Sequence, residues 1–144
     1  MASLFYGDLC AAGSGIQPRA GLGVCSVTGT YTFSAAWVDE DVCQLVPIPA
    51  GATILDVIMA VPALTDQADA VWAVGDGDGA ERFITGATAG QSSAGGVVRL
   101  NAPLGHNYKY TVDDTIDFHI TTVPGATAVT DGDISLTVIY TMDP

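Results

Sequence analysis

Apolar and polar residues alternate along most of this chain with the two-residue period of a β-strand. The clearest case runs from Ala52 to Val61, where Leu55, Val57, Met59 and Val61 form one alternating set. Ile54, Asp56, Ile58 and Ala60 form the other. Side chains alternate across a strand, so the first set is read as a wholly apolar face. The second set carries a carboxylate in its middle and is expected to reach solvent or a subunit boundary. A helix is the weaker reading, because Thr53, Ile54, Val57, Ile58 and Val61 are β-branched and Pro62 closes the segment. The pattern predicts a core strand of an all-β domain.

Further strands are predicted on both sides of it. Tyr31, Phe33 and Ala35 alternate with Thr30, Thr32 and Ser34, and Trp37-Val38 is expected to end that strand. Val42 to Ile48 is the next run, before the turn Pro49-Ala50-Gly51. Ala70 to Val74 leads into Gly75-Asp76-Gly77-Asp78-Gly79, and Arg82-Phe83-Ile84 resumes the apolar pattern. Thr85 to Gly96 reads as a long surface loop, and Val97 to Leu100 as a brief strand. In Thr115 to Val123, Ile116, Phe118 and Ile120 oppose Asp117, His119 and Thr121. Ile134 to Tyr140 follows Thr130-Asp131-Gly132-Asp133, and these last two runs are predicted to form a hairpin.

Eight or nine short strands, with no segment of 3.6-residue period, predict an all-β fold. The class expected is a β-sandwich of jelly-roll type. Residues 1–24 stand apart. Leu4-Phe5-Tyr6 is a small apolar knot, and Gly7 to Gly23 is dominated by Gly, Ala and Ser. That segment is read as an extended N-terminal arm, and residues 25–144 as the sandwich domain. The arm either grips a neighbouring subunit or partner, or is a strand-adding or frayed N-terminus of its own domain.

Composition sharpens the picture in three ways. At 144 residues, with 49% hydrophobic and 14% charged residues, the chain is one folded domain and not a disordered acidic tail. Few charges and many small residues suggest extensive subunit contact. A net charge of −12 repels phosphate, so neither nucleic acid nor an anionic membrane surface is an expected partner. Cys10, Cys25 and Cys43 fit neither a zinc site nor a disulfide framework and are expected to be reduced. No basic region precedes an apolar run at the N-terminus, so no signal peptide is expected.

The residues that invite chemistry mostly fail its spacing rules. A calcium loop starting at Asp76 lacks the EF-hand ligand at Ala80 and the glycine at Glu81. A site from Asp76, Asp78 and Glu81 stays open beside the preferred reading of a tight turn. His106 and His119 have no metal-motif spacing, and His119 is expected on the wetter face with Asp117 and Thr121. Ser92-Ser93 lacks a nucleophile-elbow frame, and Asp113-Asp114 are placed side by side in a turn that points them apart. No catalytic residue, cofactor or metal ligand is assigned, and the chain is read as a non-enzyme.

Four stretches resemble a family of small tailed-bacteriophage virion proteins that decorate or cement icosahedral heads. They are Ile48 to Val57, Val74-Gly75-Asp76-Gly77 with Asp78 and Glu81 to Ile84, Tyr110 to Asp117, and Gly132 to Tyr140. The resemblance implies a β-sandwich protein on the outer surface of the capsid, made in the host cytoplasm. It implies the major capsid protein of the same virion as partner, and a homotrimer near a symmetry axis. Leu4, Phe5 and Tyr6 are the residues expected to contact capsid or subunit. The competing reading is a receptor- or carbohydrate-binding module of a head fibre or tail, with Trp37, Trp72, Tyr108 and Tyr110 as stacking candidates. Of these, Trp72 lies in a predicted strand and is expected in the core.

Overall fold

The computed structural model describes residues 4–6, 23–66, 68–122 and 128–142. Among them the chain forms nine strands and one short 3-10 turn at Pro103–Gly105. The strands are β1 (Leu4–Tyr6), β2 (Val24–Phe33), β3 (Val42–Ile48), β4 (Ala52–Val61) and β5 (Val71–Asp76). They continue with β6 (Gly79–Ala87), β7 (Gly96–Arg99), β8 (Asp114–Thr122) and β9 (Gly132–Met142).

Their pairing is nested. β2 pairs with β9, β3 with β8, β4 with β7 and β5 with β6, all antiparallel. The result is one long hairpin rolled up so that its halves fall into two sheets, β1-β3-β8-β5-β6 and β2-β9-β4-β7. Leaving β1 aside, this is the eight-stranded jelly roll, a β-sandwich as the strand count predicted. β1 extends one sheet by pairing in parallel with β3, Leu4 opposite Val42 and Tyr6 opposite Gln44. The residues of the arm from 7 to 22 lie outside the described set.

The apolar faces of the two sheets meet in one core, and aromatic rings fill its middle. Phe118 of β8 lies 5.4 Å from both Trp37 and Trp72, ring centre to ring centre. Trp72 donates its indole N–H to the Ala89 carbonyl at 2.7 Å, which lets its polar end be buried. The sheets also close tightly at one corner. A Cβ on Gly29 would lie 2.1 Å from the Leu45 carbonyl oxygen, so β2 can cross β3 there only with glycine.

Four sequence expectations are corrected. In β4 the pairing with β9 skips Leu55, between Ile54 and Asp56. This bulge reverses the alternation, so Ala52 and Ile54 face the core before it and Val57, Met59 and Val61 after it. Leu55 is only half-buried. The predicted last hairpin does not exist, because β8 and β9 belong to different sheets. Each already has two neighbours, β8 between β3 and β5 and β9 between β2 and β4. The strand after Thr30 ends at Phe33, and Trp37 folds back into the core beyond it. Finally, β6 continues through Ala87, which pairs with Trp72, so the loop after it begins at Thr88.

Candidate functional site

One carboxylate ties the tip of the β5–β6 hairpin to Tyr110 outside it. Asp76 ends β5 and pairs with Gly79 across the two-residue turn Gly77-Asp78. Its Oδ2 accepts from Arg82 Nε at 2.7 Å and from the Tyr110 hydroxyl at 2.8 Å. Its Oδ1 accepts from Arg82 Nη2 at 3.2 Å and from the Asp78 backbone N–H at 3.1 Å. The Arg82 guanidinium also lies 4.0 Å over the Tyr108 ring, whose edge meets Tyr110. Burial first, and then donation to Asp76, raise the Tyr110 phenol far above its ordinary range, so it stays a donor. The hydrogen bond to Asp76 is likewise the main cause that raises Arg82. This is a structural clamp, with all four donors serving one anion.

The four accepting positions of Asp76 are taken, which leaves no lone pair for a cation. Asp78 and Glu81 are exposed, and among the described residues no three His, Cys, Asp or Glu side chains gather as a metal site. Asp113, just before β8, accepts from the Ala50 backbone N–H, while Asp114 is the first residue of β8 and not a turn residue, and accepts from the Thr115 backbone N–H. Ser92 and Ser93 are exposed, with φ of 54° and 57°, in the loop after β6. His106 is exposed at the end of the 3-10 turn. Cys43 is in the core and Cys25 is half-buried, while Cys10 lies outside the described residues.

The outer face of the five-stranded sheet carries the open surface feature. An acidic groove of about 700 Å³ runs along β6 and is lined by Asp78, Glu81, Arg82, Leu104, His119 and Thr121 among others. It adjoins a smaller niche of about 170 Å³, with which it shares Ala80 and His119. Asp117 lines that niche and is only 6% exposed. The sequence places Asp117 and His119 on one strand face, as found, but it had suggested a wet one. Burial, then the charges of Asp114 and Asp76, push the Asp117 carboxyl up to about 7 against a lowering bond from Thr115.

The sugar-stacking candidates are occupied internally. Trp37, Trp72 and Tyr110 are buried, and the half-buried Tyr108 has Arg82 across its ring. Leu4, Phe5 and Tyr6 lie on β1 at the edge of the five-stranded sheet. The Asp76–Tyr110 bond spans 34 residues, so no local pattern could have revealed the clamp.

No family model and no curated protein sequence matches the chain. Solved structures do. A chain in the capsid of Ralstonia phage GP4 superposes with a TM-score of 0.83 at 22% identity, covering 98% of this chain and 99% of that one. A chain in the capsid asymmetric unit of cyanophage Pam1 gives 0.74 at 21% identity, over 88% and 91%. A chain in the acid-stable capsid of Helicobacter pylori bacteriophage KHP30 gives 0.56 at 17%, over 81% and 87%. This jelly roll therefore shares its fold, nearly end to end in the first case, with chains found in bacteriophage capsids.

Proposed function

We propose that the protein is a structural virion protein that binds the outer surface of an assembled phage capsid and stabilises it as a cement or decoration protein. The observation that carries this reading is the likeness to the Ralstonia phage GP4 capsid chain, which spans 98% of this chain and 99% of that one. The partner is the major capsid protein of the same virion, and the working unit is a homotrimer.

The mechanism is mechanical. A protein that binds the assembled shell better than loose subunits stabilises the shell by mass action. Repetition over the lattice adds avidity without a strong single contact. Leu4, Phe5 and Tyr6 are the proposed contact residues of the arm. Their strand is the last in its sheet, which leaves its outer backbone edge without a partner strand among the described residues. An extended segment from a neighbour or the shell can add there by strand pairing.

The glycan-binding alternative has no comparable support, since its stacking aromatics are engaged inside the fold. The test is the thermal stability of empty shells with and without saturating protein. The shell transition is expected to move upward by several degrees when the protein is bound. An unchanged transition under saturation contradicts a cement role.

A further inference from the structure

We propose that the niche between β3, β5 and β8 receives a cationic side chain, arginine before lysine, presented by the protein to which this chain binds. The inference rests on the capsid-binding reading for the identity of that partner, but the niche itself stands on two acceptors that lack donors.

Asp117 Oδ1 and His119 Nδ1 are both buried and neither has a hydrogen-bond partner. They are two residues apart on β8 and so share its outer face. Both line the niche, whose other walls are the small residues Gly75, Gly77 and Ala80, with Val42 and Asp76. A buried acceptor left without a donor destabilises a fold, and more so when it is charged. Native structures leave few such groups without an ordered water, ion or functional partner. Here the two acceptors face the same space.

The chemistry of the missing partner follows from what surrounds it. The Arg82 guanidinium is engaged by Asp76. Among the described residues, the other charges that act on Asp117 are negative: Asp114 on the same strand, and Asp76 on β5. Water would satisfy the hydrogen bonds but not the charge. A calcium ion takes six to eight oxygen ligands, and of the two carboxylates among the described residues lining the niche, Asp76 and Asp117, the one with a vacant acceptor is Asp117. A guanidinium carries several N–H donors, no acceptor and a fixed positive charge, so one group can serve both Asp117 Oδ1 and His119 Nδ1. His119 accepts in this way when its ring proton sits on Nε2.

Access and complementarity point the same way. The niche opens beside the larger groove, where Asp78 and Glu81 are exposed and Leu104 is 81% exposed. A segment with a basic residue and an apolar neighbour fits that sequence of features. The net charge of −12 favours encounter with a basic surface. The arriving cation stabilises the ionised carboxylate. Affinity is therefore expected to rise with pH through about 7, where half of the free Asp117 has lost its proton, and to level above that range. The groups facing Asp117 in that titration are Asp114 and Thr115 on β8, Asp76 on β5 with its Arg82 from β6, and neighbouring His119.

Two measurements test this separately from the capsid reading. The first titrates the intact protein with methylguanidinium chloride at pH 8, against equal sodium chloride, while NMR follows the Asp117 carboxyl carbon and the His119 ring. Saturable shifts at both residues, with the Asp117 midpoint lowered and the response abolished by Asp117→Asn, are expected. No saturable shift at either overturns the niche, whatever the shell does. The second compares binding to assembled shells of the wild type, Asp117→Asn, and Asp131→Asn as an exposed control for net charge. A loss of at least tenfold for Asp117→Asn alone is expected. Equal affinity for all three overturns the inference and leaves the capsid reading intact. Shells that bind none of them, with methylguanidinium still bound, overturn the partner and keep the cation niche.

Discussion

Two carboxylates on neighbouring strands carry opposite roles. Asp76 is surrounded by donors, and its charge is used. Removing it leaves the mostly buried Arg82 side chain unpaired, and breaking such a pair costs about 3–5 kcal/mol. Asp76→Ala is therefore expected to lower the unfolding free energy by about 3 kcal/mol in urea titrations. Tyr110→Phe, which deletes one bond to a charged acceptor, is expected to cost about 1.5–3 kcal/mol. Asp117 is the reverse case, since burial opposes its charge. Its carboxyl lies near 7 in the folded state against 3.8 ordinarily, so the native protein holds a proton that the unfolded chain has released. Stability from this group is therefore present below about pH 4, falls as pH rises to about 7, and is absent above. The span is roughly 4 kcal/mol at most, from 1.36 kcal/mol per pH unit. Asp117→Asn is expected to be progressively more stable than the wild type between those limits. Equal stability at pH 4.5 and pH 8, measured by urea unfolding, would remove the argument for a destabilised carboxylate. The alternation of Thr115 to Thr121 located Asp117 correctly on the outer face. It could not show burial there, because that depends on Gly75 and Val42 of other strands.

At the scale of elements, the strands were legible because each carries its own period. β4 was bounded by Gly51 and Pro62, and β3 and β8 by turns rich in Gly, Pro and Asp. What lay beyond reach was everything set by a partner strand. The bulge at Leu55 exists only relative to β9, and the assignment of β8 and β9 to different sheets depends on β5 and β2. Gly29 shows the same limit from the other side. It looks like a weak residue within a strand, yet the 2.1 Å approach of the Leu45 oxygen makes it required. Gly29→Ala must displace backbone and is expected to cost about 3 kcal/mol, the upper end of ordinary overpacking, read from thermal or urea unfolding. The arm provides a second test at this scale. Deleting residues 2–22 removes β1 and bares one edge of β3. The truncated protein is expected to keep its sandwich and to lose much of its attachment to shells. Unfolding of the truncated protein would instead assign the arm to the core.

The described residues form a two-sheet body with an acidic outer groove and an added edge strand. Those features suit a protein that works by contact. Its jelly roll is shared with chains of phage capsids, and the proposed role turns on where in the shell it binds. The most direct measurement is co-sedimentation of the purified protein with assembled empty heads and, separately, with unassembled capsid subunits. The account predicts saturable binding to the assembled heads and little to the free subunits. Equal binding to both, or binding to neither, would contradict it.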